Sequence, residues 1–85
     1  MEIKFHKNFK KKFKKIPTNI QKQFYKRLDI FLQNKFDKIL NNHSVNSAFP
    51  NCKSINVNGD YRAIFEEQGE NMAVFITIGS HSDLY

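Results

Sequence analysis

Five side chains in this chain of 85 residues have types and spacings that could move protons and hold a phosphate: His43, Asp60, Arg62, His81 and Tyr85. Histidine exchanges a proton near neutral pH, with a reference pKa of about 6.5. His81 follows Gly79-Ser80 at the end of the most apolar run, where the chain leaves a predicted strand. Glycine at such an exit allows a ligand to approach the backbone closely. Tyr85 lies four residues on, so one helical turn sets its ring on the side of His81. Asp60 and Arg62 are two apart on a predicted strand and share a face, about 7 Å apart along it. The plain reading of each is a surface residue: a neutralised Arg, an inert loop His, an aromatic plug. Taken together they match what metal-free cleavage of an RNA strand requires. That chemistry needs a base for the 2′-OH, an acid for the departing 5′-oxygen and a cation where charge develops on phosphate. Two histidines or a His–Asp combination supply the first two, and Arg62 the third. An aromatic that stacks an unpaired base, and lysines that hold the backbone, complete the set.

These residues depend on the elements around them. Ile3 and Phe5 alternate with polar neighbours, which predicts a short first strand. Phe9, Phe13 and Ile16 punctuate a lysine run at helical spacing, with Asn8 as N-cap and Pro17 as the stop. Thr18 is then the cap of a longer helix whose stripe is Ile20, Phe24, Leu28 and Phe31. Residues 41–50 read as loop. Lys53 to Val57, the Asn58-Gly59 hairpin signal, Asp60 to Glu66, the turn Gln68-Gly69-Glu70-Asn71 and the run from Met72 to Ile78 predict three strands. The order is β-α-α-β-β-β, an α+β fold with an N-terminal helical hairpin packed on an antiparallel sheet.

Charge is unevenly placed. The chain carries +6 overall: residues 1–40 hold twelve Lys/Arg against three acids, and residues 41–85 hold two against five. Six lysines fall between Lys7 and Lys15. One strongly basic half points to a phosphate-rich or acidic partner. Lys10, Lys11, Lys14 and Lys53 are the candidates for holding an RNA backbone.

Several classes are excluded or disfavoured. At 10.1 kDa the chain has room for a single domain, 1–85, and its 40% apolar content with nine Phe is enough for a core. A lone cysteine, Cys52, forms no internal disulfide and points to a reducing, cytoplasmic setting. It reads as a small buried side chain. His6, His43, His81 and Cys52 show no metal-ligand spacing, and no Gly-rich phosphate loop is present, so no metal and no cofactor is expected. No apolar run reaches the roughly 18 residues of a membrane span, and the N-terminus carries lysines but no apolar h-region, so a secretory signal is not expected.

The pattern Leu40-Asn41-Asn42-His43, then Ser54 to Phe65, then Ile78-Gly79-Ser80-His81-Ser82-Asp83-Leu84-Tyr85 resembles the RelE/YafQ superfamily of bacterial type II toxins. The lysine-rich helix, Pro17 and second helix fit it too, so the resemblance covers nearly the whole chain. It implies a β-α-α-β-β-β toxin that cuts mRNA in the ribosomal A site and is silenced by a cognate antitoxin, through which the complex can bind operator DNA. By that resemblance His81 matches the C-terminal catalytic histidine of the YafQ-like branch and Tyr85 its terminal aromatic. His43 matches a histidine after the second helix, and Asp60 an acid opening the next-to-last strand. Arg62 sits where the RelE-like branch has an arginine on the scissile phosphate. Asn56 stands where YafQ-like members can have a further histidine, which leaves the division of acid and base open. His81 as acid, His43 with or without Asp60 as base, Arg62 on the phosphorane and Tyr85 on the substrate is the working assignment. Two other readings share the sequence: a ParE-like toxin that poisons DNA gyrase without cutting, and a basic nucleic-acid-binding module.

Overall fold

A computed structural model describes residues 1–85. The elements are β1 (Glu2–Phe5), α1 (Lys7–Phe13), α2 (Thr18–Gln33), a 3-10 turn (Lys38–Leu40), β2 (His43–Ser44), β3 (Lys53–Asn56), β4 (Tyr61–Gln68), β5 (Met72–Ser80) and α3 (His81–Leu84). The five strands form one sheet in the order β1-β5-β4-β3-β2. The predicted α+β fold is present, with three differences. The sheet is mixed, because β1 pairs parallel to β5 while the other neighbours are antiparallel. The segment read as loop contains β2, with His43 opposite Ser54. A short helix, α3, follows the last strand.

Aromatic residues of both long helices close over one face of the sheet. Ile20, Phe24 and Phe31 of α2 and Phe9 of α1 are buried together with Ile55, Ala63, Phe65 and Phe75. Their rings pack edge to face, Phe24 on Phe75 at 5.5 Å and Phe31 on Phe65 at 5.1 Å, the arrangement ring quadrupoles favour. Alternation sends Ile64, between Ala63 and Phe65, to the other face, where it joins Val45 and Cys52 in a smaller cluster with Phe49, Ile76 and Leu84 at its margin. A bulge maintains this arrangement. Ile64 pairs with Thr77 but Phe65 with Phe75, so Ile76 is the extra residue and both Phe75 and Ile78 reach the helical side.

Both predicted helix caps move. The N–H of His6 donates to the Phe75 carbonyl at 2.9 Å, which holds the chain extended through His6. The helix therefore starts at Lys7, and His6, not Asn8, is its cap, with Nδ1 accepting from the Asn8 N–H at 3.0 Å. Pro17, not Thr18, precedes α2, without any side-chain cap. Gln21 stabilises that junction instead, its Nε2 donating to the carbonyls of Phe13 and Ile16.

Candidate active site

The β3–β4 hairpin forms, closed by a side chain. Asn58 Oδ1 accepts from the N–H groups of Asp60 and Tyr61 at 2.9 and 2.7 Å, and Gly59 does not adopt a positive φ. Asp60 consequently sits in the loop before β4 and not on the strand, so it and Arg62 do not share a strand face as predicted. No ion pair joins them. The Arg62 guanidinium folds back over the loop and donates to the carbonyls of Asn58, Tyr61 and Gly59 at 2.9, 3.1 and 3.2 Å. Three bonds use at most three of its five donors and leave its charge unneutralised.

The end of β5 meets this loop. Tyr61 pairs with Ser80 and Arg62 with Gly79, and the His81 N–H donates to the Asp60 carbonyl at 2.9 Å. Ser80 Oγ then caps α3 by accepting from the Asp83 N–H at 3.2 Å. One helical turn brings the rings of His81 and Tyr85 to 4.9 Å between centroids, as the spacing predicts. Both side chains are exposed. Gly79 does not make room for a ligand as expected. A Cβ there would lie 3.4 Å from Asp83 Cβ and from Leu84 Cδ2, so the space serves the packing of α3 on the strand.

His43 lies on the same sheet face as Ser54 and Ile64 but at the far edge. Three strand spacings, about 14 Å, separate its backbone from that of Thr77 on β5. Its Nδ1 stands 2.7 Å from the Asn41 carbonyl; a carbonyl only accepts, so Nδ1 is the donor of that bond. Asn56, on the rung of Arg62, has a buried Oδ1 without a partner.

Histidine 81, Tyr85, Asp60 and Arg62 are thus brought together, with His43 more remote. The lysines are not brought to them. Lys10 and Lys11 lie on α1 and Lys14 is its C-cap, on the helical side of the sheet, where with Lys7 and Lys15 they line a wholly basic depression. Beside it Phe5, Phe9, Phe13, Phe24 and Tyr25 form an apolar groove of about 250 Å³. Lys53 faces the helical side too, and its Nζ is 3.6 Å from Glu67, which also pairs with Lys35 at 3.3 Å. Cys52 is buried as read from the sequence; burial, with the nearby Glu66 charge second, pushes its thiol pKa up and keeps it protonated. One residue at the site was missed: Phe49, whose ring stands 6.1 Å from that of Tyr85. Its only signal is an isolated aromatic in a polar loop.

The family model described as ParE toxin of type II toxin-antitoxin system, parDE, matches residues 3–85. This chain belongs to the ParE toxin family. It is a toxin of the type II toxin–antitoxin class. Its fold is shared across the wider superfamily. YafQ from Escherichia coli BL21(DE3) superposes with a TM-score of 0.72 at 20% identity, over 99% of this chain and 97% of that one. A YoeB/ParE toxin from Agrobacterium tumefaciens gives 0.76 at 8% identity, over 95% and 99%. The intact RelBE toxin–antitoxin complex of E. coli gives 0.70 at 21% identity, over 93% and 94%. No curated protein matches in sequence. No helix is long and apolar enough to cross a membrane.

Proposed function

We propose that this ParE-family toxin is an endoribonuclease that cuts mRNA on the ribosome by acid–base chemistry. The observation that carries the reading is the convergence of the turn bearing the His81–Tyr85 ring pair with Asp60 and the start of β4, which bears Arg62. An exposed imidazole set at 44° to a phenol, on a backbone joined to the segment that bears a carboxylate and an unneutralised guanidinium, is suited to an RNA phosphate and its unpaired base. In the reaction the 2′-oxygen bonds to phosphorus as its proton passes to a base. The bond to the 5′-oxygen breaks, and that oxygen takes a proton from an acid. Histidine 81 is the acid. Asp60, whose carbonyl accepts from the His81 N–H, is the base, and His43 serves RNA that extends across the sheet. Arg62 holds the phosphorane, and Tyr85 stacks on a base. The products are a 2′,3′-cyclic phosphate and a 5′-OH end.

The lysines of α1 lie on the other side of the sheet, so their role is docking on ribosomal RNA and not contact at the scissile bond. The cognate antitoxin is the second partner, and its acidic surface suits the same lysines. Operator DNA binding falls to the antitoxin. Purified chain, ribosomes programmed with mRNA, and analysis of the product ends test the chemistry. Cyclic-phosphate and 5′-OH ends that disappear in His81→Ala are expected; uncut mRNA with wild-type chain refutes it.

The ParE family match favours one other reading, a toxin that inactivates gyrase or another target without cutting RNA. In that case toxicity survives His81→Ala.

A further inference from the structure

Tyr85 is 48% exposed, on a helix of only four residues, a length that does not hold a side chain in place by itself. Its ring has two aromatic neighbours. One is His81 in the same turn, and the other is Phe49, edge to face at 78°. Phe49 comes from the β2–β3 connection, which is tightly bonded to itself. The N–H of Val45 donates to the Cys52 carbonyl, that of Cys52 to the Phe49 carbonyl and that of Phe49 to the Val45 carbonyl. Asn46 Oδ1 accepts from the Asn51 N–H at 2.7 Å, and Asn51 takes the left-handed conformation at φ 65 that asparagine tolerates. Phe49 itself packs against the cluster of Val45, Cys52 and Ile64.

One side of Phe49 is therefore anchored in a small core while its ring meets Tyr85. We infer that Phe49 is a positioning residue: it fixes the Tyr85 ring, and through it the His81 imidazole, in the orientation that meets RNA. The inference rests on the ribonuclease reading. Ring quadrupoles favour an edge-to-face contact of this kind, whereas an aliphatic side chain of similar bulk fills the volume without orienting its neighbour.

Phe49→Leu keeps an apolar side chain for the cluster, and Phe49→Tyr keeps the ring. Ring-proton resonances of Tyr85 and His81 report their packing in the free protein, and single-turnover cleavage on programmed ribosomes reports the chemistry. In Phe49→Leu the ring resonances are expected to move and kcat to fall about threefold to tenfold, the worth of one aromatic pair, with KM changed less. Phe49→Tyr is expected to retain both. Unmoved resonances with wild-type kcat overturn the inference and leave Phe49 as core filling. If Phe49→Leu does not fold, Phe49→Met takes its place with the same readouts. If wild-type chain cuts nothing, the ribonuclease reading fails separately, and the cross-peaks between the His81 and Tyr85 ring protons, which do not depend on the Phe49 ring current, decide: cross-peaks lost in Phe49→Leu uphold the positioning contact and unchanged ones overturn it.

Discussion

The hydrogen bonds that His43, Arg62 and His81 make run to backbone carbonyls and not to side chains of the site. The Asn41 carbonyl meets His43 Nδ1, the hairpin carbonyls hold Arg62, and the Asp60 carbonyl accepts from the His81 N–H. This frees the ionisable atoms for substrate. Cys52 behaves in the opposite way. Its thiol is buried near Glu66 and its pKa lies above the ordinary 9.0. A raised folded-state value means a contribution to stability that is complete below the unfolded pKa and is lost as pH rises through the folded one. Urea melts compared at about pH 8 and about pH 10 should therefore show a loss in wild-type chain that Cys52→Ala lacks. Native Cys52 should also resist alkylation at neutral pH until denaturant is added. Rapid modification of the folded chain would contradict its burial.

At the scale of elements, the turn that carries His81 and Tyr85 stands on Gly79 and the Ser80 cap. A methyl at position 79 would make ordinary contact with Asp83 and Leu84, so Gly79→Ala should fold and cleave nearly as wild type. Gly79→Val should displace α3, cost about 1–3 kcal/mol and reduce cleavage, read by thermal melts beside product mapping. The aromatic stripe of α2 and the strands of the second half were legible because their apolar residues repeat with the period of the element. Helix caps were not, because a sheet hydrogen bond at His6 decides where α1 begins. Strand β2 is two residues in a polar stretch and exists only through its pairing with β3. The parallel pairing of β1 has no local signal either. Among site residues, His81 and Tyr85 followed from their i, i+4 spacing. The placement of Lys53 was available in its alternation with Ile55 and Val57, which share the helical side. Phe49 was hidden because its partner Tyr85 lies 36 positions away in sequence.

Across the whole molecule, the basic surface and the proposed catalytic surface occupy opposite sides of one sheet. Exposed charges are screened beyond about 8 Å at physiological salt. On the proposed reading the lysines of α1 act by contact with a large partner and not through their field at His81. Replacing Lys10, Lys11 and Lys14 together by Ala should weaken ribosome binding and lower the slope of log K against log salt by about 2 to 3. An unchanged slope would remove these residues from the interface. Cleavage itself is tested most directly in growing cells, by inducing the intact chain or His81→Ala and mapping mRNA 5′ ends. In-frame cuts and growth arrest, both lost in His81→Ala, are the predicted result. Arrest without cuts, unchanged by His81→Ala, would contradict the ribonuclease and point to a toxin that binds its target without cutting it.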